Sequence, residues 1–102
     1  MAHEVITLPH GTFVRNCKGH VPHPSWLVFW REQTKHPRAK INCSKLGCTN
    51  DADRGGHIFS REATDTKQKY IIPLCNSDNC WNKKENEDGY QVVKVEAVRA
   101  VQ

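Results

Sequence analysis

The chain has no apolar run approaching the ~20 residues that a membrane-spanning helix needs. Its opening, Met-Ala-His-Glu-Val, lacks the basic and then apolar layout of a secretory leader. Both absences predict a cytoplasmic protein with no membrane partner. Apolar residues are few: hydrophobic types make up 37% of 102 residues, and the mean hydropathy is −0.71. A chain of this length predicts a single domain, 1–102, with one modest core. So little apolar area offsets chain entropy poorly, which makes an additional staple physically reasonable. There is no internal repeat and no low-complexity tract. Nothing in the pattern marks a small-molecule pocket.

What the chain does have is five cysteines, four of them in two pairs. The first pair is Cys43-Ser-Lys-Leu-Gly-Cys48. After 26 residues comes Cys75-Asn-Ser-Asp-Asn-Cys80, and each pair is separated by four residues. Two such pairs can bring four thiolates to one tetrahedral point, which suits a single structural Zn²⁺. A reducing cytoplasm favours metal over disulfide, and the odd cysteine count argues the same way. Cys43, Cys48, Cys75 and Cys80 are the expected ligands, with His57 outside the coordination shell. His57 and Asp78 stand as alternative ligands in place of one cysteine. A second cluster, Cys17, His20 and His23, has its three groups two residues apart with no fourth ligand in sight. An exposed loop is the expected reading there, and a second metal the alternative.

Charge is less informative. The formal net charge is +4, and four thiolates around one divalent ion lower it by two. So small an excess does not by itself argue for nucleic acid. The basic residues nevertheless flank the cysteine module in sequence. Arg38, Lys40, Lys45, Arg61, Lys69, Lys83 and Lys84 are the candidate contacts, with acids at Asp51, Asp53, Glu62 and Asp65 interspersed. If the cations converge on one face, phosphate contact follows, with strong salt dependence. A protein partner fits the same composition.

Along the chain, residues 4–8 and 12–15 are rich in strand formers around Pro9-His10-Gly11, which predicts an N-terminal β-hairpin. Residues 16–24 read as loop. Residues 25–34 are the best helix candidate, with Ser25 as cap, Pro37 as terminator, and Trp26, Phe29 and Trp30 on one face for core packing. Residues 50–56 read as loop. Residues 57–61 and 69–74 read as strands, with Pro73 expected at a strand end or edge. Residues 75–87 suit a short helix and 90–95 a final strand. Residues 96–101 are ambiguous between strand and helix.

The order of Cys pair, Gly55-Gly56-His57-Ile58, apolar strand, Pro73-Leu74-Cys75, Cys80 and Asn82-Lys83-Lys84 resembles a diverged HNH, or treble-clef, zinc module. It is also similar to small bacterial and phage-type proteins that join a Ser-Trp-Leu-x-x-Trp helix to a Gly-Gly-His strand and a Tyr-Ile-x-Pro-Leu-Cys strand. The resemblance spans residues 25–84. It implies an α+β, zinc-stapled fold, with a treble-clef hairpin, the aromatic helix packed on it and the N-terminal hairpin added. In an HNH endonuclease it would make His57 the general base that activates water beside a catalytic metal. This chain departs from that pattern. Gly56 stands where an acid or histidine usually precedes the catalytic histidine. Tyr70 or Ile71 stands in the place of the central asparagine, and only Asn82 is available as the last metal ligand. The second cysteine pair is also spaced by four residues instead of two. The expected function is therefore a non-catalytic nucleic-acid- or protein-binding module, with the metal-dependent endonuclease as its alternative.

Overall fold

The computed structural model describes residues 4–17, 23–35, 40–60, 69–75 and 89–100. Among these, the chain runs β1 (Val5–Leu8), β2 (Phe13–Asn16), α1 (Pro24–Thr34), β3 (Arg54–Ser60), β4 (Lys69–Leu74), β5 (Tyr90–Gln91) and β6 (Val95–Arg99). The strands form one antiparallel sheet in the order β1-β6-β4-β3-β2-β5. The α+β class is thus present, as a curled sheet with one helix packed on it.

The curling follows from the register. Val5 faces Val98 and Leu8 faces Val95, while Phe13 faces Gln91 and Val14 faces Tyr90. Residues 5–14 and 90–98 are therefore one continuous ladder with a one-residue slip in its middle. At the slip Gly11 N donates to Val92 O at 2.8 Å, and Val92 N donates to Thr12 O at 3.0 Å. Gly11 and Thr12 together oppose Val92, with Gly11 at φ 88°. This is a bulge whose first position suits glycine, and it bends the strand and sharpens its twist. Because β2 also pairs with β3 and β6 with β4, the sheet closes on itself as a short cylinder.

The expected N-terminal hairpin is accordingly corrected: β1 and β2 do not pair with each other. The turn chemistry at Pro9-His10-Gly11 is real, since Thr12 N and Thr12 Oγ1 both donate to Pro9 O, at 3.1 and 2.7 Å. It re-aims one strand instead of reversing it. The expected final strand 90–95 is two strands, β5 over Tyr90–Gln91 and β6 over Val95–Arg99, and residues 96–99 of the ambiguous segment are strand.

Alternation along the strands sorts side chains between two faces. Leu8, Val14, Ile58, Tyr70, Ile72, Leu74, Tyr90, Val92 and Ala97 fill the cylinder, together with Cys43 and Cys75. The two tyrosines bury their rings and satisfy their hydroxyls. Tyr70 Oη donates to Glu4 Oε1 at 2.9 Å, and Tyr90 Oη donates to Asn16 Oδ1 at 2.7 Å. On the outer face Ile71 and Val98 pack against Leu27 and Trp30 of α1, flanked by Trp26 and Phe29. The aromatic stripe therefore serves the core, as its spacing predicts. Trp30 also donates its Nε1 to Glu96 O at 2.8 Å.

The helix starts one residue earlier than its sequence signal. His23 is the N-cap, its Nδ1 accepting from Ser25 N at 3.1 Å, and Pro24 occupies the first turn, where no N–H is needed. Ser25 supports the cap from within, its Oγ lying 2.8 Å from His23 Nδ1. The helix ends at Thr34, with Lys35 in the left-handed conformation at φ 62°. The expected terminator Pro37 lies outside the described residues.

β3 also begins earlier than expected, because residues 54–56 are strand and not loop. Gly55 and His23 exchange backbone hydrogen bonds of 3.0 and 3.2 Å, which ties the start of α1 to the strand. A Cβ on Gly55 would lie 2.5 Å from the carbonyl carbon of Trp26 and 2.7 Å from Leu27 N. The absent side chain is what allows the helix to lie this close to the strand. Gly55→Ala must push the helix off the sheet. The expected loss is about 1–3 kcal/mol of unfolding free energy, read from the midpoint of a urea transition.

Candidate metal centre

Residues 41–52 build the first half of the site. Cys43 N donates to Asn50 O at 2.9 Å and Ala52 N to Ile41 O at 2.8 Å, which makes a narrow hairpin. Its tip turns where Cys48 N donates to Lys45 O at 3.0 Å, with Gly47 at φ 87°. Glycine takes that conformation without the strain a side chain would bring.

The hairpin is docked by backbone groups from two directions. Ser44 donates twice to Pro73 O, from its N at 3.0 Å and its Oγ at 2.7 Å. On the other side Leu46 N donates to Gln91 O and Val93 N to Ser44 O, both at 2.9 Å. Pro73 has no N–H for the ladder. It sits near the end of β4, past the Tyr70 and Ile71 positions that pair with β6. Its carbonyl is bound by Ser44 instead, two residues before Cys75.

This docking brings Cys43, Cys48 and Cys75 together, with their sulfurs all within 4.8 Å of one another. Cys48 Sγ and Cys75 Sγ are 3.8 Å apart. A disulfide would require about 2.05 Å, so Cys48 and Cys75 are not bonded to each other. Tetrahedral coordination with metal–sulfur bonds of about 2.3 Å places ligand sulfurs about 3.8 Å apart. The three cysteines therefore have the spacing to hold one metal ion. Cys43 and Cys75 are buried at 1% and 3% exposure, and Cys48 is half-buried. Asn50 adds a polar contact that the sequence reading missed: its Nδ2 lies 3.8 Å from Cys75 Sγ and donates toward it. Such a donor orients a ligating sulfur and offsets its charge. The signal was an asparagine two residues beyond the first pair, in a segment that reads only as loop.

Of the expected ligands, Cys80 lies outside the described residues, as does Asp78. His57 is not part of the cysteine cluster. It stands on the outer face of β3, at 4% exposure, with its ring 4.7 Å from that of Trp26 and edge-on to it. In the loop that suggested a second metal, His20 lies outside the described residues, and His23 Nδ1 is engaged in capping α1. Cys17 is buried at 3% exposure, and its N donates to His57 O at 3.0 Å.

Three of the seven candidate phosphate contacts, Lys40, Lys45 and Lys69, lie among the described residues. Lys40 is exposed and lies 3.7 Å from Asp51. Lys45 holds its Nζ 5.8 Å from the ring centre of Tyr90. Lys69 starts β4. Arg38, Arg61, Lys83 and Lys84 lie outside the described residues. Among the described residues no helix is long and apolar enough to cross a membrane. Comparison with protein-family models, with curated proteins and with solved structures gives no match.

Two outcomes are expected here. Ser44→Ala keeps the backbone donor and loses the hydroxyl, so stability should fall by about 1 kcal/mol, and metal affinity with it. A competition titration against a chromophoric chelator measures the second effect. Burial pushes the Cys17 thiol up from 9.0 to about 11, only partly offset by Lys69 and Arg15. Its folded value exceeds its unfolded one, so this contribution to stability is intact below pH 9 and is lost as the pH rises from 9 to 11. At pH 8 Cys17 should resist alkylation in the native protein and react fully in urea, as peptide mapping by mass spectrometry will show.

Proposed function

We propose that this chain is a non-catalytic binding module held in shape by one structural Zn²⁺, with Cys43, Cys48, Cys75 and Cys80 as its ligands. The convergence of three sulfurs at coordination spacing carries the reading. An all-thiolate set is soft and tetrahedral, which favours zinc over the harder divalent ions. Cys80 is the natural fourth ligand, five residues beyond Cys75 and paired with it as Cys48 is with Cys43. A closed set of four ligands leaves no open position for substrate, as befits a structural and not a catalytic ion.

The order of a cysteine hairpin, then β3 and β4, then a further cysteine agrees with the HNH or treble-clef resemblance as far as Cys75. The endonuclease alternative would need His57 to reach water and a scissile phosphate. Its burial beneath Trp26 supports packing as its role instead. A cytoplasmic location belongs to the same reading, since reduced thiols are what such a site requires. The module's partner in this reading is a nucleic acid or another protein, since the small excess of cations fits either.

The test is metal content. Mass spectrometry of the purified protein should find one zinc per chain. Cys43→Ser should lower that value, and EDTA should collapse the dispersed amide spectrum, because building the site and folding are coupled. Protein that contains no metal, or that keeps its spectrum in EDTA, overturns the reading.

A further inference from the structure

Outside the cysteine cluster, one row of side chains on the outer face of the cylinder is not used by the core. Register places Arg15 of β2 opposite Phe59 of β3, and Phe59 opposite Lys69 of β4. The three therefore lie side by side across adjacent strands, with the two cations about 10 Å apart at two strand spacings. Arg15 is exposed, and Phe59 and Lys69 are half-exposed. The Arg15 guanidinium carbon lies 5.2 Å from the ring centre of Phe59. The next row along, Cys17, His57, Ile71 and Val98, packs toward α1 or lies buried.

We infer that the row of Arg15, Phe59 and Lys69 binds single-stranded nucleic acid. A half-exposed ring on a sheet, flanked on both sides by cations, is the arrangement that stacks an unpaired base and neutralises the phosphates beside it. The guanidinium over Phe59 extends the stacking surface and supplies one phosphate contact, and Lys69 supplies another. A duplex hides its base faces, so it can use the cations and not the ring. The inference deepens the reading of the domain as a binding module and names the partner and the surface.

The test is fluorescence anisotropy of zinc-loaded protein with labelled oligothymidylate of about 12 nucleotides. A duplex of equal length serves as comparison, and salt is varied between about 50 and 200 mM. The single strand should bind more tightly than the duplex. Arg15→Gln should flatten the plot of log affinity against log salt by about 0.7, the share of one phosphate contact on a single strand. Phe59→Leu, which keeps apolar bulk, should weaken binding about tenfold with little change in that slope. Variants that bind like the wild type, or a duplex that binds as tightly as the single strand, overturn the assignment. So does a metal-loaded, folded wild type that ignores the oligonucleotide, and a protein ligand then becomes the occupant to seek. Zinc content measured on the same samples keeps this outcome separate from failure of the structural-metal reading.

Discussion

The carbonyl of Pro73 joins the two halves of this molecule. Proline cannot continue the ladder as a donor, so β4 ends its pairing with β6 before it reaches this residue. Ser44 then binds the freed carbonyl twice, through its N–H and its hydroxyl. This one acceptor fixes the cysteine hairpin against the end of the strand that delivers Cys75. The sulfurs meet because two backbones are held together a few ångströms away. A metal ion at that point would lock an arrangement that hydrogen bonds already define, which keeps down the ordering cost of coordination.

The cylinder and the cysteine hairpin support each other. Cys43 and Cys75 are members of the interior cluster as well as candidate ligands, so coordination and apolar packing share atoms at one end of the barrel. At the other layer, α1 covers Ile71 and Val98 on the outer face. A chain of low hydropathy thus uses both faces of β4, the strand between β3 and β6, where five successive residues are buried. Central strands of this kind read as unbroken apolar runs, and Tyr70-Ile-Ile-Pro-Leu74 does so.

The element types were legible because they rest on local chemistry. β-branched and aromatic runs gave the strands, the ring spacing gave the packed helix, and the paired cysteines gave the cluster. What stayed hidden depends on partners far along the chain. Pro9-His10-Gly11 has the same turn residues whether it closes a hairpin or bends a single strand, and only Val92, more than eighty residues later, decides between them. Gly55 looks like a loop glycine until a helix lies against it. His23 caps α1 because Pro24 already fixes the first turn, which moved the helix start ahead of the serine signal. The row of Arg15, Phe59 and Lys69 exists only once three separate strands are in register, so no window of the sequence could show it.

The cylinder is laced shut by residues from opposite ends of its circuit, with Val5 paired to Val98 and Val14 to Tyr90. A chain emerging from the ribosome can complete the β3–β4 pairing early, but Leu8 and Val14 have no interior to enter until residues 90–98 have been made. Contacts this distant in sequence slow folding and prolong the exposure of apolar strands. The nascent polypeptide is therefore vulnerable to mispairing until residues 90–98 have emerged, and until then a chaperone would find the first strands uncovered.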